Sequence, residues 1–390
     1  MPPIRVAVAM SGGVDSSVAC LLLVKEGYDV VGLTMKLLKD SPSGDTGAVT
    51  PCCTAEMARD AAGVCHRLGV LHYTVNMTEA FEKEVIVPFV KDYTSGKTPN
   101  PCITCNRKMK FGHLLRKARE MGADYVATGH YVRAVRRQDD VLVDTFQNPR
   151  ADGGRTYLLR GRDRSKDQSY ALYGLTQDML SHSMFPLGNL TKREVREMAR
   201  QAGFSAADQP DSQEICFVSR SGYRKFLSDR GVHPEPGPII DTSGKQVGKH
   251  LGLPFYTVGQ RRGLGLEAGT ALYVVALDVS RNALIVGTKG EAYSGGCWVK
   301  DLNLIAAQHL DGPVDGTCMV RYRGKETAAQ MRPCEFETPS GAEAEVDFQT
   351  SQFAVTPGQA LVFYQGNLVY GGGVISQSFA MQDLLQANQK

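Results

Sequence analysis

The sequence predicts an α/β fold, a doubly wound parallel sheet followed by a small mixed domain and a C-terminal β-barrel-like domain. Over roughly the first two hundred residues, short apolar runs alternate with stretches of helical periodicity, which is typical of βαβ units. Beyond about residue 235, glycine, proline and short β-branched runs such as LYVVALDV and ALIVG replace that pattern. A glycine-rich turn, SGGVDSS, joins the first predicted strand to the first predicted helix.

The length of the chain indicates more than one domain. At 390 residues it exceeds the size, about 250 to 300 residues, at which a single hydrophobic core stops growing. A hydrophobic content of 42% is sufficient for a sizeable core. We place the α/β domain at residues 1–210, the small mixed domain at 211–285 and the barrel-like domain at 286–390.

Each element of the α/β domain is predicted from its local pattern. Residues 4–10 form an apolar run of strand length, and residues 16–26 carry apolar side chains at helical spacing until Gly27, a good C-terminal cap. Further strands are predicted at 28–37, 70–75 and 124–128, and further helices at 55–68, 79–93, 107–121 and 190–202. The last helix has Thr191 and Glu194 at capping-box spacing. In such folds ligands gather at the carboxyl ends of the strands, where the glycine turn lies.

The turn at residues 11–17 has the properties of an anion site. Gly12 and Gly13 lack a Cβ, so the backbone can take unusual angles and an anion can approach it closely. The following helix directs free N–H groups at the turn, and Ser16 and Ser17 add hydroxyl donors. The spacing excludes the Gly-x-x-x-x-Gly-Lys-Ser/Thr phosphate loop and the Gly-x-Gly-x-x-Gly dinucleotide turn. An ordinary strand-turn-helix corner is the alternative, since Ser-Gly-Gly is common in turns.

The ten cysteines indicate thiol chemistry rather than a disulfide framework. Cys102 and Cys105 stand at the predicted start of a helix, where a thiol ionises more readily, and three basic residues follow: Arg107, Lys108 and Lys110. This pair fits a zinc half-site, a redox pair, an iron–sulfur ligand pair or chance, and no second pair follows at zinc-ligand spacing. Considered alone, Cys216 is predicted to be a buried structural thiol, as are Cys20 and Cys65 on apolar helix faces; Cys52 and Cys53 have no assigned role.

Composition restricts the class of protein and its partners. A net charge of +3 is too small to indicate nucleic-acid binding by itself, so an RNA site must be a local patch. Basic clusters occur in all three regions, at residues 160–166, 220–225, 261–262 and 321–325. No run of about 18 apolar residues is present, and the first residues, MPPIRVAVAM, enter a strand without a signal or transit segment. We therefore expect a cytoplasmic protein without a membrane partner.

A series of motifs extends in order over nearly the whole chain. They are SGGVDSS, TPNPxxxCNxxxKF, ATGHY, KDQSYAL, FPLG, DSQEICFV, YTVGQRRGLG, RYR and VTPGQALVFY. The first resembles the SGGxDS loop of the ATP pyrophosphatases, which belong to the adenine nucleotide alpha hydrolase-like folds. Together the motifs resemble those of the bacterial and organellar tRNA-specific 2-thiouridylases. Their order and coverage make the resemblance specific, whereas any single motif would not.

The resemblance implies an enzyme, a tRNA-uridine 2-sulfurtransferase that converts ATP to AMP and pyrophosphate. Its product carries sulfur in place of the 2-oxygen of the wobble uridine in tRNAs for lysine, glutamate and glutamine. Adenylation turns a poor leaving group into departing AMP, and a cysteine persulfide then delivers sulfur as a strong nucleophile. The implied cofactors are ATP and Mg²⁺. The implied partners are the anticodon stem-loop of tRNA and a persulfide donor such as a cysteine desulfurase or a sulfur-relay protein.

The resemblance also assigns the residues of the site. Asp15 helps to hold Mg²⁺ on the departing pyrophosphate, Cys216 carries the persulfide, and Cys105 closes a disulfide with Cys216 as sulfur is released. The residues implied to bind the nucleotide are Ala9, Met10, Ser11, Gly12, Gly13, Val14, Asp15, Ser16, Met35 and Gly129. Those implied to contact the tRNA or to border the flipped base are Asn100, Pro101, Cys102, His130, Lys166, Asp167, Gln168, Arg321, Tyr322 and Gln359. By the same resemblance the domain at 1–210 binds ATP and the domain at 211–285 binds tRNA.

Several alternatives remain open for these residues. Cys102 stands where the best-known members of the family have aspartate, so Cys102, Cys105 and Cys216 could together ligate a [4Fe-4S] cluster that delivers sulfide. Otherwise Cys102 is a spare nucleophile or a tolerated substitution. His130 could be a hydrogen-bonded histidine at a strand end, and KDQS an ordinary turn. An AMP-forming ligase for a small molecule would share the loop, and a non-catalytic RNA-binding module would use only the basic clusters.

Overall fold

The structure is a computed structural model that describes most of the 390-residue chain, namely residues 3–39, 55–138, 141–149, 154–208, 215–218, 222–266, 271–334 and 341–387. The chain divides into two compact units. The first comprises Met1–Ile86, Pro101–Tyr223 and Asn367–Val369, and the second Val87–Asn100, Arg224–Gly366 and Tyr370–Lys390. None of the helices in the described ranges combines the length and the apolar character that crossing a bilayer requires.

The strands, in chain order, are β1 (Arg5–Ala9), β2 (Asp29–Lys36), β3 (Leu71–Asn76), β4 (Tyr125–Ala127), β5 (Val132–Gln138), β6 (Val141–Asp144), β7 (Thr156–Arg160), β8 (Ser183–Met184), β9 (Gly237–Asp241), β10 (Gln246–His250), β11 (Tyr273–Asp278), β12 (Ala283–Gly287), β13 (Tyr293–Leu304), β14 (Val314–Met319), β15 (Thr327–Pro333), β16 (Ala344–Phe353), β17 (Ala360–Gln365) and β18 (Leu368–Ser378). The α-helices are α1 (Val14–Lys25), α2 (Ala55–Arg67), α3 (Thr78–Phe81), α4 (Val87–Thr94), α5 (Pro101–Thr104), α6 (Leu115–Glu120), α7 (Gln177–Ser181), α8 (Lys192–Gln201), α9 (Gly222–Asp229) and α10 (Phe379–Ala387). Two π-helices span Glu82–Ile86 and Cys105–Leu114. Short 3₁₀ turns span Ser169–Leu172, Ser205–Asp208, Leu253–Phe255 and Gly290–Ala292.

The first unit is built on a five-stranded sheet. Its strand order is β3-β2-β1-β4-β8, and the four neighbouring pairs all run parallel. The order therefore reverses between β1 and β4, because the chain proceeds outward from β1 to β3 and then returns to β4. Parallel sheets bind their ligands at this reversal, outside the carboxyl ends of the strands. The predicted doubly wound parallel sheet is confirmed.

The core of the first unit holds β1 and α1 rigidly. Val6 and Val8 of β1 are fully buried in one hydrophobic cluster with Val18 and Leu23 of α1 and Val195 of α8. The run VAVA is apolar without alternation, as expected for a parallel strand covered on both faces. Because the strand and the helix are both fixed by the core, the loop that joins them has fixed ends.

Two predicted helices differ from their predicted form. The helix predicted at 79–93 is α3, a π-helix and α4 in succession, and Pro88 is the physical reason. Proline lacks the N–H of a regular turn and its ring displaces the preceding turn, so the chain widens at Glu82–Ile86. The helix predicted at 107–121 begins instead with α5 and continues as the π-helix from Cys105. A π-helix this long is rare, and π segments are frequent at functional sites.

Residues 132–160 depart from the predicted alternation of strands and helices. β5 pairs antiparallel with both β6 and β7. Residues 367–369 also belong to this unit, where Leu368 pairs with Leu159 of β7. β5, β6 and β7 were not predicted from the sequence. They form an antiparallel extension, and one of their pairing partners, Leu368, lies more than 200 residues further along the chain.

The second unit contains a mixed sheet and a barrel. The four-stranded sheet has the order β10-β9-β12-β11, in which only β9 and β12 are parallel. A barrel follows with the order β13-β16-β15-β14-β17-β18, and β13 pairs with β18 to close it. The predicted mixed and barrel-like folds are confirmed. The domain boundaries stay predictions, and the one at residues 210 and 211 lies outside the described residues.

The capping box predicted at the start of α8 is present. The Thr191 side chain accepts from the Glu194 N–H, at 3.3 Å, and a Glu194 carboxylate oxygen accepts from the Thr191 N–H, at 2.6 Å. These two bonds satisfy donors that a helix start otherwise leaves without partners. The backbone position of Lys192, the next residue, is therefore fixed by local interactions.

We expect Thr191→Ala to destabilise the first unit because the substitution removes the cap of α8. The free energy of unfolding should fall by about 1 kcal/mol, measured as a lower urea midpoint of the first unit's transition. Thr191→Ser keeps the hydroxyl and is the matched control. Equal midpoints for the alanine and serine variants would contradict the assignment.

Candidate active site

The glycine loop connects β1 to α1 at the reversal of strand order. Gly12 has φ = 75°, in the left-handed region that favours glycine, and a Cβ there would lie 2.6 Å from the Met57 carbonyl oxygen. Gly13 is the N-cap of α1 and has no side chain that could cap the N–H groups of the first turn. Among the described residues, a Cβ at Gly13 would meet only the Ser11 Oγ, at 3.6 Å, which leaves room for a ligand beside that turn. The loop therefore fits a phosphate group.

Serine hydroxyls shape this loop from within. Ser16 Oγ and Ser17 Oγ both donate to the Gly13 carbonyl oxygen, at 3.0 and 2.9 Å, and Ser16 Oγ accepts from the Ser11 N–H at 3.2 Å. Their hydroxyl protons are used by the loop itself, although the sequence had indicated them as donors to an anion. In this structure these two serines stabilise the backbone conformation.

A second hydrogen-bond chain fixes the start of the loop. Thr34 Oγ1 donates to the carbonyl oxygen of Met10 at 3.0 Å and lies 2.8 Å from His72 Nε2. A hydroxyl has one proton, so His72 Nε2–H is the donor of the second bond. Met35, the next residue of β2, is also buried. The sequence did not indicate Thr34 or His72.

The loop after β4 packs directly on the glycine loop. A Cβ at Gly129 would lie 2.7 Å from the carbonyl carbon of Asp15 and 2.8 Å from the Ser16 nitrogen. Glycine is therefore required here by space. Because β1 and β4 are adjacent parallel strands, their carboxyl ends meet at one edge of the sheet. The structure thus brings Gly129 together with Asp15 and Ser16, which belong to a different motif.

Asp15 is held by two side chains that the sequence analysis did not identify. Lys192 Nζ lies 2.7 and 2.9 Å from its two carboxylate oxygens, and the Tyr131 hydroxyl donates to Oδ1 at 2.7 Å. The side chain of Lys192 is 10% exposed and that of Asp15 is 32% exposed. The capping box was a signal that α8 starts at Lys192, but nothing local indicates the pairing with Asp15.

The KDQSYAL segment contacts this cluster through Tyr131. Gln168 Oε1 accepts from the Tyr131 N–H at 2.9 Å, and the Gln168 N–H donates to the Tyr131 carbonyl oxygen at 3.2 Å. Asp167 accepts from the N–H groups of Gly161 and Ser169, so it orders the turn. Lys166 is half-buried. The segment has the hydrogen bonds of an ordered turn, and the contacts of these residues with tRNA stay predictions.

His130 is buried, with 7% of its surface exposed. Its Nδ1 lies 2.7 Å from Thr128 Oγ1, and its Nε2 lies 3.4 Å from Lys110 Nζ. Because an ammonium has no acceptor, Nε2 accepts and Nδ1 carries the proton. Burial, and then the charge of Lys110, hold the pKa of this imidazole well below its usual range. In this structure His130 is a neutral, hydrogen-bonded histidine at a strand end, and its contact with RNA stays a prediction.

Lys110 belongs to the helix that starts at Cys105. Hydrogen bonds in a π-helix join residues i and i+5, so Lys110 stands one turn beyond Cys105. Cys105 is half-buried, whereas Cys102 on α5 is exposed. Asn106 is buried and donates to the Ala171 carbonyl oxygen at 3.1 Å. The CNxxxKF, ATGHY and KDQSYAL motifs are therefore neighbours in the first unit.

Cys216 lies in a short described segment, residues 215–218, and is half-buried. Its neighbour Phe217 is buried and packs edge-to-face on Phe81 of α3, with ring centroids 5.6 Å apart. α3 in turn packs against the π-helix that begins at Cys105. The Cys216 segment is therefore anchored to an element that contacts the Cys105 helix. Residues 211–214 and 219–220 of the same motif region lie outside the described residues.

The described ranges contain no group of three or more His, Cys, Asp or Glu side chains arranged to hold a metal ion. Cys102, Cys105 and Cys216 do not form the three-thiol set that the cluster hypothesis requires, and we derive no step through a cluster. Mg²⁺ has a different requirement, because it is usually bound by one or two carboxylates together with substrate phosphates. Asp15 is a carboxylate of this kind beside a loop that fits phosphate, and in this structure it is paired with Lys192.

Four other described thiols, those of Cys20, Cys65, Cys297 and Cys318, are buried, whereas Cys334 is half-buried. Cys20 and Cys65 are fully buried as expected, and a hydrogen bond between them together with burial raises the pKa of the Cys20 thiol. In the barrel, burial raises the pKa of Cys318 to about 12 and that of Cys297 well above its usual range. Buried neutral thiols are unreactive. Cys52 and Cys53 lie outside the described residues.

The second unit brings together two predicted tRNA motifs. Gln359 donates to the Thr98 carbonyl oxygen at 2.8 Å across 261 residues of sequence, and the Thr98 N–H donates to the Pro357 carbonyl oxygen at 2.9 Å. Gly358, with φ = 89°, allows this approach, since a Cβ there would lie 2.9 Å from the Thr98 nitrogen. Thr98, the first residue of the TPNP motif, is thus bound to the VTPGQ turn.

The remaining predicted tRNA residues occupy different environments. Arg321 and Tyr322 are exposed on the barrel, where Arg323 lies over the Tyr322 ring at 5.4 Å. Pro101 is buried at the first position of α5. An exposed tyrosine beside arginines can stack on an unpaired base. Their contacts with tRNA stay predictions.

Three family descriptions cover the chain in succession. Residues 4–220 match the tRNA methyl transferase HUP domain, residues 224–288 the tRNA methyl transferase PRC-barrel domain, and residues 294–375 the aminomethyltransferase beta-barrel domain. The first match alone spans more than half of the chain.

Curated relatives resemble the chain over nearly its full length. A protein of Moorella thermoacetica named tRNA-specific 2-thiouridylase MnmA is 47% identical over 372 residues, which cover 94% of this chain and 98% of that protein. Proteins of the same name from Halothermothrix orenii and Roseiflexus castenholzii are 45% and 44% identical, and each alignment covers 96% of this chain and 99% of the relative. On this identity and coverage, the chain belongs to the family of tRNA-specific 2-thiouridylases.

Proposed function

We propose that this protein is an ATP-dependent tRNA-uridine 2-sulfurtransferase, which replaces the 2-oxygen of the wobble uridine with sulfur and releases AMP and pyrophosphate. One observation carries the proposal: the phosphate-fitting loop with Asp15 and the helix that bears Cys105 meet at the same edge of the parallel sheet through Gly129, His130 and Lys110. The named relatives are 2-thiouridylases, which supports the same activity here. The expected substrates are the tRNAs for lysine, glutamate and glutamine, and the expected compartment is the cytoplasm.

The family descriptions mention methyl transfer, whereas the relatives are named for thiolation. The transfer of a preformed methyl group to RNA consumes no triphosphate in the transfer step. Thiolation gives a role both to the loop at Gly12 and Gly13 and to the thiols of Cys105 and Cys216. The residues present therefore support thiolation.

The activation step depends on the loop and Asp15. The N–H groups of the first turn of α1 bind phosphate, and Asp15 is the carboxylate that would hold Mg²⁺. When bound, Mg²⁺ neutralises the charge that develops on the departing pyrophosphate. The uridine 2-oxygen attacks the α-phosphorus, pyrophosphate leaves, and the oxygen becomes part of an AMP leaving group.

The sulfur step depends on the two half-buried thiols. The terminal sulfur of a persulfide on Cys216 attacks C2 of the activated base, and AMP leaves with the original oxygen. The Cys105 thiolate then attacks the Cys216 sulfur, which closes a disulfide and releases the 2-thiolated base. A dithiol reductant restores both thiols, and a cysteine desulfurase or sulfur-relay protein restores the persulfide. Lys110 places a positive charge one turn from Cys105.

Recognition of RNA requires an exposed base. An anticodon loop is already single-stranded, so extrusion of the wobble base costs only about a few kcal/mol or less. Exposed basic residues such as Arg321 and Arg164 can contact phosphates. Such contacts weaken steeply with salt because counterions are released when they form. Salt-insensitive association would instead favour a small-molecule ligase.

We expect the protein, incubated with ATP, Mg²⁺, a persulfide donor and unmodified tRNA, to form 2-thiouridine and AMP in equal amounts, detected by nucleoside mass analysis. Asp15→Ala removes the carboxylate proposed to hold Mg²⁺, so thiolation should fall by about two orders of magnitude or more while tRNA binding is largely kept. Glu26→Ala, at the opposite end of α1, is the matched control. Undiminished turnover of the Asp15 variant would count against the proposal.

We expect Cys105→Ala and Cys216→Ala each to abolish 2-thiouridine formation, because either substitution removes a sulfur that the proposed route requires. Cys102→Asp should retain most of the activity, since aspartate stands there in the best-known family members. Product is measured as above, and anaerobically purified protein is assayed for iron and acid-labile sulfide. Inactive Cys102→Asp together with bound iron in the unmodified protein would favour the cluster.

We expect Gly129→Ala to weaken ATP binding about tenfold or more, because overpacking against Asp15 and Ser16 costs about 1 to 3 kcal/mol. Calorimetric titration with ATP measures the loss. Gly63→Ala on α2 is the control, since a Cβ there meets no atom of the described residues within 4 Å. Equal ATP affinities of the two variants would show that the close approach is not needed for the nucleotide site.

A further inference from the structure

The ion pair between Asp15 and Lys192 conflicts with the role proposed for Asp15. Lys192 Nζ bonds both carboxylate oxygens, at 2.7 and 2.9 Å, and the Tyr131 hydroxyl donates to one of them at 2.7 Å. Mg²⁺ binds oxygen at about 2.0 to 2.1 Å with near-ideal octahedral geometry. Oδ1 already accepts from Lys192 and Tyr131, so Mg²⁺ could bind only at Oδ2, close to the Lys192 ammonium. Two cations at that distance repel each other, so coordination of Mg²⁺ by Asp15 is favoured when Lys192 moves away.

The position of Lys192 is unfavourable without an anionic partner. It is the first residue of α8, and the N-terminus of a helix carries partial positive charge that repels a cation. Its side chain is also largely buried, so its charge is costly to keep away from water. The capping box at Thr191 and Glu194 already stabilises the helix start, so Lys192 is not needed for that purpose. An amine in this position must be held by an anion.

A second anion is within reach of Lys192 if the loop binds phosphate. Asp15 is the second residue of α1, so its carboxylate flanks the first turn, where the N–H groups fit a phosphate. The Lys192 side chain is a flexible four-carbon stem with three donors. A change of rotamer moves its ammonium from the Asp15 carboxylate to a phosphate on the same turn.

We infer that Lys192 is a phosphate-binding residue of the nucleotide site and that Asp15 exchanges Lys192 for Mg²⁺ when the magnesium–nucleotide complex binds. The inference rests on the proposed ATP site. Lys192 and Mg²⁺ then compete for the Asp15 carboxylate, although both bind the phosphates of the same nucleotide. Lys192 thereby couples binding of the metal to binding of the nucleotide.

The exchange predicts opposite effects for one substitution. Lys192→Gln removes the competitor, so Mn²⁺, used as a paramagnetic probe of the Mg²⁺ site, should bind nucleotide-free protein roughly tenfold more tightly. The same variant lacks the cation that binds phosphate, so ATP affinity should fall roughly tenfold. Electron paramagnetic resonance measures Mn²⁺ binding, and calorimetry measures ATP binding. Arg193→Gln, the next residue and exposed, is the matched control and should change neither quantity.

A second variant tests the exchange without removing the lysine. Asp15→Asn is close to isosteric and releases Lys192, so ATP in the presence of EDTA should bind more tightly than to the unmodified protein, while Mn²⁺ binding is lost. Unchanged or weaker binding of metal-free ATP by Asp15→Asn would overturn the exchange. Unchanged Mn²⁺ affinity or unchanged ATP affinity of Lys192→Gln would also overturn it. If the unmodified protein itself failed to bind ATP, the proposed function would fail instead.

Discussion

The close approach of two backbones at the reversal of strand order is the constraint on which the candidate active site depends. The β4 loop reaches the first turn of α1 only because residue 129 has no side chain, and the distance of 2.7 Å from a Cβ to the carbonyl carbon of Asp15 leaves no alternative. The parallel pairing of β1 with β4 fixes both ends of this contact. The ATGHY residues that follow, Tyr131 above all, acquire their positions from it.

The charged side chains at this edge of the sheet include one carboxylate, that of Asp15, and two lysines, Lys192 and Lys110. Asp15 carries the negative charge next to the loop, and Lys192 lies against it. Lys110 lies next to the neutral imidazole of His130, whose low pKa avoids a second adjacent cation. A site that handles a triphosphate, a polyanionic RNA and a sulfur nucleophile needs positive charge that does not repel itself. Lys192 and Lys110 are on different elements, α8 and the π-helix, and each is paired with a different group, Asp15 and His130. The two positive charges are therefore kept apart.

The sequence could predict the features that local patterns determine. The strand, glycine turn and helix at the start, the capping box at Thr191 and the change to β structure beyond residue 235 are all set by neighbours in the chain. The pairing of Asp15 with Lys192 spans 177 residues, and no local pattern records which distant side chain reaches a carboxylate. Periodicity likewise could not separate a π-helix from an α-helix at Cys105, although Pro88 gave a usable signal for the other π-helix. For His130, sequence cannot distinguish burial from exposure to RNA, because both use the same residue at a strand end.

The stretch of residues 87–100, which includes the first three residues of the TPNP motif, gives the chain an unusual connectivity. Residues 87–100 belong to the second unit, although the residues on either side of them, Ile86 and Pro101, belong to the first. Thr98 is tied to the turn at Pro357 and Gln359 through both its amide and its carbonyl oxygen. The barrel therefore cannot be removed without consequence. A fragment ending near residue 223 would keep residues 87–100 but lose the residues of the second unit that they contact. Any shortened form that keeps only the first unit would therefore also need a redesigned stretch ahead of Cys102 and Cys105.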